Sequence, residues 1–587
     1  MNPFIKDIIT GLKQQSEFVD FSDDELERLI EIPPDPKMGD FAVPCFAPAK
    51  RLKRSPEDVS RTASRAFSPT SLIPEVRASG PYVNFSADKG KLIKSVLRDI
   101  YSQGEAYGNS NIGYGKTVVL DYSSPNIAKH LAVHHLRSAV IGNSIKTLYK
   151  ALGYECIGIN HLGDWGTQFG QLIVAYKKWG NEDALKENPI KHLNELYVKY
   201  HQEAEKNPSL EDEAREWFKR LEKGDGEAET LWQRFKDLSL QEFQRIYNLL
   251  DISFDFYTGE SFYNELLNDT IKRIKDSGLG VISEDALVVN LDKYNMPPCL
   301  LLKKDDASLY ATRDICAAEY RKRQFNFDRA IYVVGSEQKL HFKQFFKVLE
   351  LMGYEWAKDC IHIDFGLMKF RAHRAESPGS GKMSTRRGRV VLLEDLLKEA
   401  VERTRKIIEE KNPDLKNKED IAYSVGIGAV IFADLSSKRV KDVNFDWDEI
   451  LNFDGETGPY VQYTHARLCS IMRKYGAPPP IPSPLEGEGR ERGINYALLK
   501  EDDELLLVKN LELFPTTIRR AAETYEPSLL ANLLLTICSA FNRYYNHHRI
   551  LGDDEELTKA RVLLCDGTRQ VLRKGLYLLG IKAPVEM

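Results

Sequence analysis

The chain has 587 residues and a net charge of -5, from 82 basic and 87 acidic side chains. Hydrophobic residues make up 42% and charged residues 29%, a globular composition that excludes a wholly disordered chain. At about 150 residues per domain this length suggests roughly four domains, and without an overall positive charge any polyanion must bind a local basic face. The eight cysteines include no C-x-x-C pair, which argues against a zinc knuckle or a disulfide scaffold.

The sequence shows no sign of a membrane span or a secretory leader. Its longest apolar stretch, around residues 425–433, is far shorter than the ~20 residues of a membrane helix. Near the N-terminus, Asp7 interrupts the sequence too early for a secretory signal. We therefore expect a cytoplasmic protein with no membrane partner.

Residues 1–106 are predicted to form a small α+β domain. Ile5, Ile8 and Leu12 follow helical spacing. Ser22 is followed by three acids, the last of them Glu25, which is typical of a helix N-terminus. Residues 76–85 combine a turn with an alternating strand.

A βαβ unit is predicted from residue 116 onward. An apolar strand over residues 117–122 leads through a loop into a helix with one apolar face, and Gly153 is suited to end that helix. Residues 154–160 are predicted to form the next strand. In such a unit the ligand crevice lies at the carboxyl ends of the strands.

The remainder of the chain is mostly helical in pattern. Residues 171–290 are charged and helix-rich, which indicates an insertion. Residues 300–302 and 330–335 are predicted to be buried strands that rejoin the sheet. Beyond about residue 395 the pattern is helical, apart from a loop at 477–493 rich in proline and glycine.

Residues 377–388 form a loop of small residues that carries one lysine and two arginines. A P-loop would suit a triphosphate, but its first glycine would fall at Glu376, and Lys382 would precede Ser or Thr rather than Met383. Two interpretations stay open: a loop whose cations follow the charge of a transferring phosphate, or a solvated surface loop.

The helix start within residues 126–138 is a second candidate phosphate site. A helix N-terminus offers free N–H groups and a positive dipole end, to which Lys129 and His135 add donors. His134 and His135 could instead indicate a metal site. However, neighbours on a helix do not face each other, and no carboxylate or cysteine completes a ligand set. We predict no metal site.

These segments, together with others, resemble class I arginyl-tRNA synthetases in their order and spacing. The matching motifs lie at residues 121–129, 135–138, 160–170, 310–314, 338–341, 382–386, 457–467, 541–545 and 580–584. The resemblance implies an α/β architecture: a Rossmann-type parallel-sheet catalytic domain with an N-terminal α+β domain and an all-helical C-terminal anticodon-binding domain. The implied limits are 1–106 for the N-terminal tRNA-binding domain, 107–395 for the catalytic domain, 396–455 for a helical linker that contacts the tRNA stem, and 456–587 for the anticodon-binding domain.

The resemblance also implies the reaction. A monomer would activate L-arginine with ATP, accompanied by Mg2+, to arginyl-adenylate. It would then transfer the arginyl group to the 3′ end of tRNA(Arg), releasing AMP and pyrophosphate. In this family activation typically needs tRNA already bound.

The site residues that the resemblance implies fall into four groups. The catalytic residues are Lys129, His135, Lys382 and Ser384. The ATP-binding residues are His134, His135, Lys382, Met383, Ser384 and Thr385. The arginine-binding residues are Asp121, Asn126, Tyr310, Asp314 and Gln338. The tRNA-binding residues are Arg386, Arg387, Tyr460, Arg467, Tyr544 and Tyr545.

The implied arginine pocket has a chemistry that suits its substrate. A guanidinium presents a planar fork of five donors, which carboxylates and neutral acceptors satisfy best. The five implied residues comprise two acids and three neutral hydrogen-bonding groups, with no lysine or arginine among them. On spacing alone, Asp121 and Asp314 could instead be strand-end or helix-capping acids.

Two signature motifs depart from the family pattern. The first, His-x-Gly-His, aligns here with Ala132 and His134 at its first and third positions. In the second, Thr385 replaces the last lysine, and Lys129 lies where a compensating lysine is expected. The departures motivate a rival hypothesis, an RNA-binding protein whose adenylation activity has decayed. A third hypothesis is an enzyme for another amino acid.

The helical tail interleaves tyrosines with basic residues over residues 543–549. Such a surface can stack unpaired bases while it neutralises phosphates. An amphipathic helix with buried tyrosines would give the same pattern.

Overall fold

The computed structural model describes residues 2–33, 36–302, 309–370, 391–476 and 494–587. Within these ranges, no helix has the length and apolar character needed to cross a membrane. The N-terminal elements are α1 (Pro3–Lys13), α2 (Asp23–Leu29), β1 (Phe41–Pro44), α3 (Phe46–Leu52), α4 (Pro56–Ala66), β2 (Glu75–Ser79), β3 (Tyr82–Ser86) and α5 (Lys89–Gln103).

The N-terminal region is an antiparallel sheet of order β1-β3-β2 with helices packed around it. The predicted start of α2 is confirmed as a capping box. Glu25 N–H donates to Ser22 Oγ (3.2 Å), and Ser22 N–H donates to Glu25 Oε2 (2.8 Å). Two otherwise unpaired donors of the helix N-terminus are thereby satisfied.

The predicted βαβ unit follows, and Gly153, with φ +85°, comes directly after the end of its helix. Its elements are β4 (Thr117–Tyr122), α6 (Val133–Ala151) and β5 (Glu155–Ile159). A long, mostly helical segment then leaves the sheet. Its elements are α7 (Gln168–Trp179), α8 (Glu182–Glu187), α9 (Pro189–Ala204), α10 (Ser209–Glu222), α11 (Gly226–Leu249), α12 (Asn264–Asp276), β6 (Gly280–Ser283), β7 (Ala286–Val289) and β8 (Cys299–Leu302).

The prediction that residues 300–302 rejoin the main sheet is wrong. Strand β8 pairs antiparallel with β7, and β6, β7 and β8 form a separate small sheet. Leu300 is 44% exposed while Leu301 is fully buried, so this strand has one solvent face. A run of three leucines indicates a strand but does not specify which sheet it joins.

The chain then returns to the main sheet, as predicted for residues 330–335. The returning elements are α13 (Tyr310–Phe325), β9 (Arg329–Val333), α14 (Lys339–Leu351), β10 (Cys360–Ile363) and β11 (Met368–Phe370). The main sheet has the order β10-β9-β4-β5 with all pairs parallel, which confirms the predicted α/β class. Its carboxyl edge is where a ligand crevice is expected.

The last third of the described chain is mainly helical. Its elements are α15 (Leu393–Lys411), α16 (Lys418–Leu435), β12 (Val443–Phe445), α17 (Trp447–Ile450), α18 (Gly458–Tyr475), α19 (Asp502–Glu512), α20 (Phe514–Glu523), α21 (Ser528–His547) and α22 (Glu555–Leu578). Strands β11 and β12 pair in parallel. Buried Arg137 of α6 joins this region to the sheet, because it donates to Asp434 Oδ1 (2.6 Å) and to the Gly366 carbonyl (2.6 Å).

The N-terminal region packs on the C-terminal helices. Lys509 Nζ lies 2.5 Å from Asp40 Oδ1, and both side chains are buried. Tyr101 donates its hydroxyl proton to Asp566 Oδ2 (2.9 Å), and Tyr107 donates to the Leu511 carbonyl (3.0 Å). Buried polar contacts therefore join the first and last parts of the chain.

Candidate active site

The loop after β4 has a strained backbone held by side-chain hydrogen bonds. Ser123 (φ 74°), Ser124 (φ 46°) and Ala128 (φ 60°) adopt the left-handed conformation, which costs of order 1 kcal/mol each outside glycine. Ser138 Oγ accepts from Ser123 N–H (2.8 Å), and Ser239 Oγ accepts from Ala128 N–H (2.9 Å). Such strain is typical of functional loops.

At the start of α6, His135 takes the part that Glu or Gln plays in a capping box. Its Nδ1 accepts from Ala132 N–H (3.0 Å). Burial, assisted by His134, lowers the pKa of His135 to about 3, so the ring is neutral. Nδ1 also lies 3.2 Å from the Ala132 carbonyl; in the tautomer whose Nδ1 accepts from the N–H, Nε2 carries the proton and can donate to a ligand.

The expectation that His134 and His135 do not face each other is wrong. Their ring centroids are 4.0 Å apart with an interplanar angle of 41°. Both side chains lie in the first turn, where helical side chains lean toward the N-terminus. Across the described parts of the chain, no group of three His, Cys, Asp or Glu side chains is arranged to hold a metal ion.

Lys129, in the loop after β4, contacts an aromatic ring of the helical segment. Its Nζ is 5.4 Å from the ring centre of Tyr197, on α9, which is cation–π distance. The side chain is half-buried. The predicted catalytic lysine is thus next to the helical segment that leaves the sheet.

The turn at residues 160–167 approaches the β4 loop closely. A Cβ on Gly163 would come within 1.9 Å of Asn126 Oδ1, so a larger residue there would displace the Asn126 side chain. Asp164 is fully buried and accepts from the Ser261 N–H (2.8 Å) and hydroxyl (2.7 Å). Trp165 packs edge-on against Phe218 and Trp232.

The predicted arginine-binding acid Asp121 already has partners. Arg321 Nη2 lies 2.8 Å from Asp121 Oδ2, and Ser124 Oγ donates to Asp121 Oδ1 (2.9 Å). Asp121 is 6% exposed and Arg321 1%. The five implied residues include no arginine, but Arg321 contacts one of them, Asp121.

The second predicted acid, Asp314, borders the same region. It lies on α13, and its Oδ2 is 2.6 Å from His341 Nε2. Asp121 pairs across the sheet with Tyr332. Burial, together with the fields of Asp121 and Asp314, raises the pKa of the Tyr332 hydroxyl. The two acids thus lie close enough to act on one group.

The remaining predicted arginine-binding residues lie at element ends around these acids. Tyr310 begins α13 and is 70% exposed. Gln338 is the N-cap of α14 and Asn126 adjoins Gly163, and both side chains are exposed. All three can therefore be reached by a ligand in the crevice.

Sequence analysis missed a third carboxylate, Glu260. Burial raises its pKa to about 7, with Asp314 adding to the shift and Arg313 opposing it. The Glu260 carbonyl accepts from Arg313 Nη1 (2.9 Å), and its N–H donates to the Leu162 carbonyl (3.0 Å). Glu260 follows helices α7 to α11, so local spacing gave no signal; the hint in the sequence was an acid directly after Gly259.

The predicted tRNA-binding residues of the helical region form one cluster. Arg467 Nη1 donates to Asn542 Oδ1 (2.5 Å), and its guanidinium lies over the Tyr545 ring at 5.2 Å. The Tyr460 hydroxyl accepts from Asn542 Nδ2 (3.0 Å). Tyr463, which sequence analysis did not single out, lies 4.8 Å from the Arg467 guanidinium and is 36% exposed.

The prediction for Tyr544 is corrected. Its side chain is fully buried, whereas Tyr545 is 39% exposed. Burial raises the pKa of the Tyr544 hydroxyl well above its usual value. Adjacent helical residues point about 100° apart, and here Tyr544 points into the core while Tyr545 points to solvent. Tyr544 packs in the core and has no surface on which a base could stack.

The second signature lies outside the described residues. Its predicted residues are Lys382, Met383, Ser384, Thr385, Arg386 and Arg387. The described strand that precedes it is β11, and the described helix that follows it is α15.

The described site combines a charged half and a neutral half. Asp121 is paired with Arg321, the Glu260 carbonyl accepts from Arg313, and Asp314 contacts His341, so the acids of this half outnumber its arginines by three to two. That excess suits one cationic side chain. At the α6 start, the neutral ring of His135 suits a phosphate, whereas the backbone N–H groups of Ala132, Val133 and His135 already donate within the protein.

Three family models match the chain. The model described as "tRNA synthetases class I (R), catalytic domain" matches residues 96–447. The model described as "Arginyl tRNA synthetase N terminal domain" matches residues 4–87. The model described as "DALR anticodon binding domain" matches residues 461–587.

Full-length relatives and solved structures agree with these models. An arginine–tRNA ligase of Halothermothrix orenii is 48% identical over 97% of this chain and 98% of its own length. One of Clostridioides difficile is 46% identical over the whole of both chains. The Thermus thermophilus arginyl-tRNA synthetase structure superposes with a TM-score of 0.81, at 25% identity over 99% of each chain. A catalytic domain of this class uses ATP. The chain belongs to the class I arginyl-tRNA synthetase family.

Proposed function

We propose that this protein is an arginine–tRNA ligase that activates L-arginine with Mg-ATP to arginyl-adenylate and transfers the arginyl group to tRNA(Arg). The observation that carries the proposal is the excess of carboxylates over arginines at the carboxyl edge of the sheet, beside a helix start with neutral donors. A guanidinium neutralises that excess, whereas a neutral side chain would leave it uncompensated.

In the proposed arginine complex, Asp314 and Glu260 receive the guanidinium. Tyr310 and Gln338 lie at the exposed starts of α13 and α14, where they can add neutral hydrogen bonds. Asn126, held beside Gly163, is assigned to the backbone part of the amino acid. The α-carboxylate then attacks the α-phosphate of ATP in line, and pyrophosphate leaves.

On the nucleotide side, the proposed ligands are His134 and His135 at the start of α6, with Lys129 as a cation beside them. His135 can donate from Nε2 because its Nδ1 is occupied. Lys382, Ser384 and the other residues of the second signature are proposed to hold the phosphates. Mg2+ enters with ATP and neutralises phosphate charge. Positioning and charge stabilisation therefore carry the reaction, with no covalent enzyme intermediate.

For tRNA we propose the cluster of Tyr460, Arg467 and Tyr545, together with Arg386 and Arg387. An exposed tyrosine ring beside an arginine suits an unpaired base next to a phosphate. The domain limits at 106, 395 and 455, the monomeric state and the cytoplasmic location stay part of this proposal.

ATP–pyrophosphate exchange tests the proposal directly. Exchange is measured with each of the twenty amino acids, with and without tRNA, and we expect it only with arginine and only with tRNA present. Exchange without any amino acid would favour a decayed synthetase, the rival suggested by Ala132 and His134. Exchange with a neutral amino acid would favour an enzyme for another substrate.

A further inference from the structure

A buried arginine lies behind the proposed substrate site. Arg321, on α13, is 1% exposed, and its Nη2 lies 2.8 Å from Asp121 Oδ2. Its guanidinium is 5.6 Å from the centre of the Tyr332 ring. Burial is the largest single influence and opposes the charge, but Asp121, Tyr263 and Tyr332 together raise the pKa of Arg321 above its usual value. The protein therefore holds a guanidinium of its own at this position.

This resident guanidinium leaves Asp121 without a free oxygen. Oδ2 faces Arg321, and Oδ1 accepts from the Ser124 hydroxyl (2.9 Å). A carboxylate receives a guanidinium fork through both of its oxygens. Because both oxygens contact protein groups and Asp121 is only 6% exposed, a second guanidinium has little access to this carboxylate.

Arg321 and Asp314 lie at different positions along α13. Asp314 and Arg321 are seven residues apart, two helical turns, so they share one face of the helix. The side chain of Asp314 is 24% exposed and that of Arg321 is 2% exposed. Asp314 thus lies toward solvent, while the Asp121–Arg321 pair closes the inner end.

We propose that Arg321 is a positioning residue that neutralises and holds Asp121, so that the substrate guanidinium is received by Asp314 and Glu260. The inference rests on the proposed function and deepens it. Asp121 then acts through Arg321 and not as a direct partner of the substrate. Its charge matters because an isolated Arg321 cation at the inner end would repel the substrate cation.

A rescue experiment tests this assignment. Asp121→Asn leaves Arg321 unpaired, and the dissociation constant for L-arginine should rise at least about tenfold, as for loss of a bond to a charged group. Adding Arg321→Met removes the unpaired cation, and the double variant should recover most of that loss. Binding is measured by titration calorimetry, and the arginine and ATP KM values come from pyrophosphate exchange.

The outcomes separate the two roles. If Asp121 binds the substrate directly, the double variant will bind arginine as poorly as Asp121→Asn, and the proposal is overturned. If Arg321 only supports the fold, the arginine and ATP KM values will move together, which also overturns it. Arg321→Lys, which keeps the charge, should bind arginine better than Arg321→Met does alone.

A matched control uses another buried pair. Arg561 Nε donates to Glu504 Oε1 (2.9 Å) between helices α22 and α19. Arg561→Met should lower the melting temperature without changing the arginine dissociation constant. Should the wild-type protein bind arginine but show no exchange, the proposed function fails while the binding comparison still decides the role of Arg321.

Discussion

The two halves of the site achieve binding by different means. On the arginine side, carboxylates and buried arginines form ion pairs, as between Asp121 and Arg321. On the nucleotide side, His135 is neutral and acts through a hydrogen bond to backbone. From this comparison we expect charge to select the amino acid, while the neutral His135 orients phosphates whose charge Lys129 and the second signature neutralise.

Among the changes considered, replacing Asp314 should raise the arginine KM most. Asp314→Asn removes the outer carboxylate, and the arginine KM should rise about 100-fold, the scale of losing a partner for a desolvated charge. The ATP KM should change less than about threefold. Exchange kinetics with each substrate varied in turn measure both values. Asp24→Asn, which loses only an exposed contact with Arg519, is the control; an equal rise in both KM values would contradict the division.

Lowering the pH should also weaken arginine binding. Glu260 has its pKa raised to about 7, so it takes up a proton as the pH falls through 7 and loses its attraction for a cation. The arginine KM should therefore rise between pH 8 and pH 6, by at most about tenfold per unit. Glu260→Gln should flatten this dependence.

The nucleotide half should not follow that titration. With its pKa near 3, His135 stays neutral across the range, so it contributes no pH dependence to the ATP KM. Measuring the ATP KM at saturating arginine over the same pH values checks this. A break near pH 7 that survives in Glu260→Gln would place the titrating group on the nucleotide side instead.

The smallest expected effect is on stability, and it tests whether His135 stabilises the start of α6. His135→Ala removes the acceptor for Ala132 N–H and should lower the free energy of unfolding by about 1 kcal/mol. His135→Gln supplies another acceptor at the same helical position and should lose less. Urea denaturation compares them, and equal losses would show that the hydrogen bond adds no stability.

Local signals predicted local features well. The Ser22–Glu25 capping box and the β4–α6–β5 unit each depend on residues close in sequence, and both are present. Glu260 and Arg321 reach the site through the path of the chain, which spacing does not encode. The family motifs likewise marked Asp121 without revealing its buried partner.

The rotation of a helix about its axis was the other feature that the sequence did not predict. Tyr544 and Tyr545 are adjacent and chemically alike, yet one is buried and the other exposed. Which of them faces solvent depends on how α21 packs against its neighbours, and a mixed run of tyrosines and basic residues does not fix that rotation. The direction of side chains at a helix end was equally hard to predict, since the rings of His134 and His135 lie 4.0 Å apart in the first turn.

The junction of the first and last regions has a mechanical consequence. Lys509 is 3% exposed and Asp40 5% exposed, so removing residues 1–106 would take away the buried partner of Lys509 and uncover the surface around it. Either region alone would be a poor soluble fragment. Because the N-terminal region and the C-terminal helices are held together by buried contacts, an RNA that binds to both would meet one continuous surface.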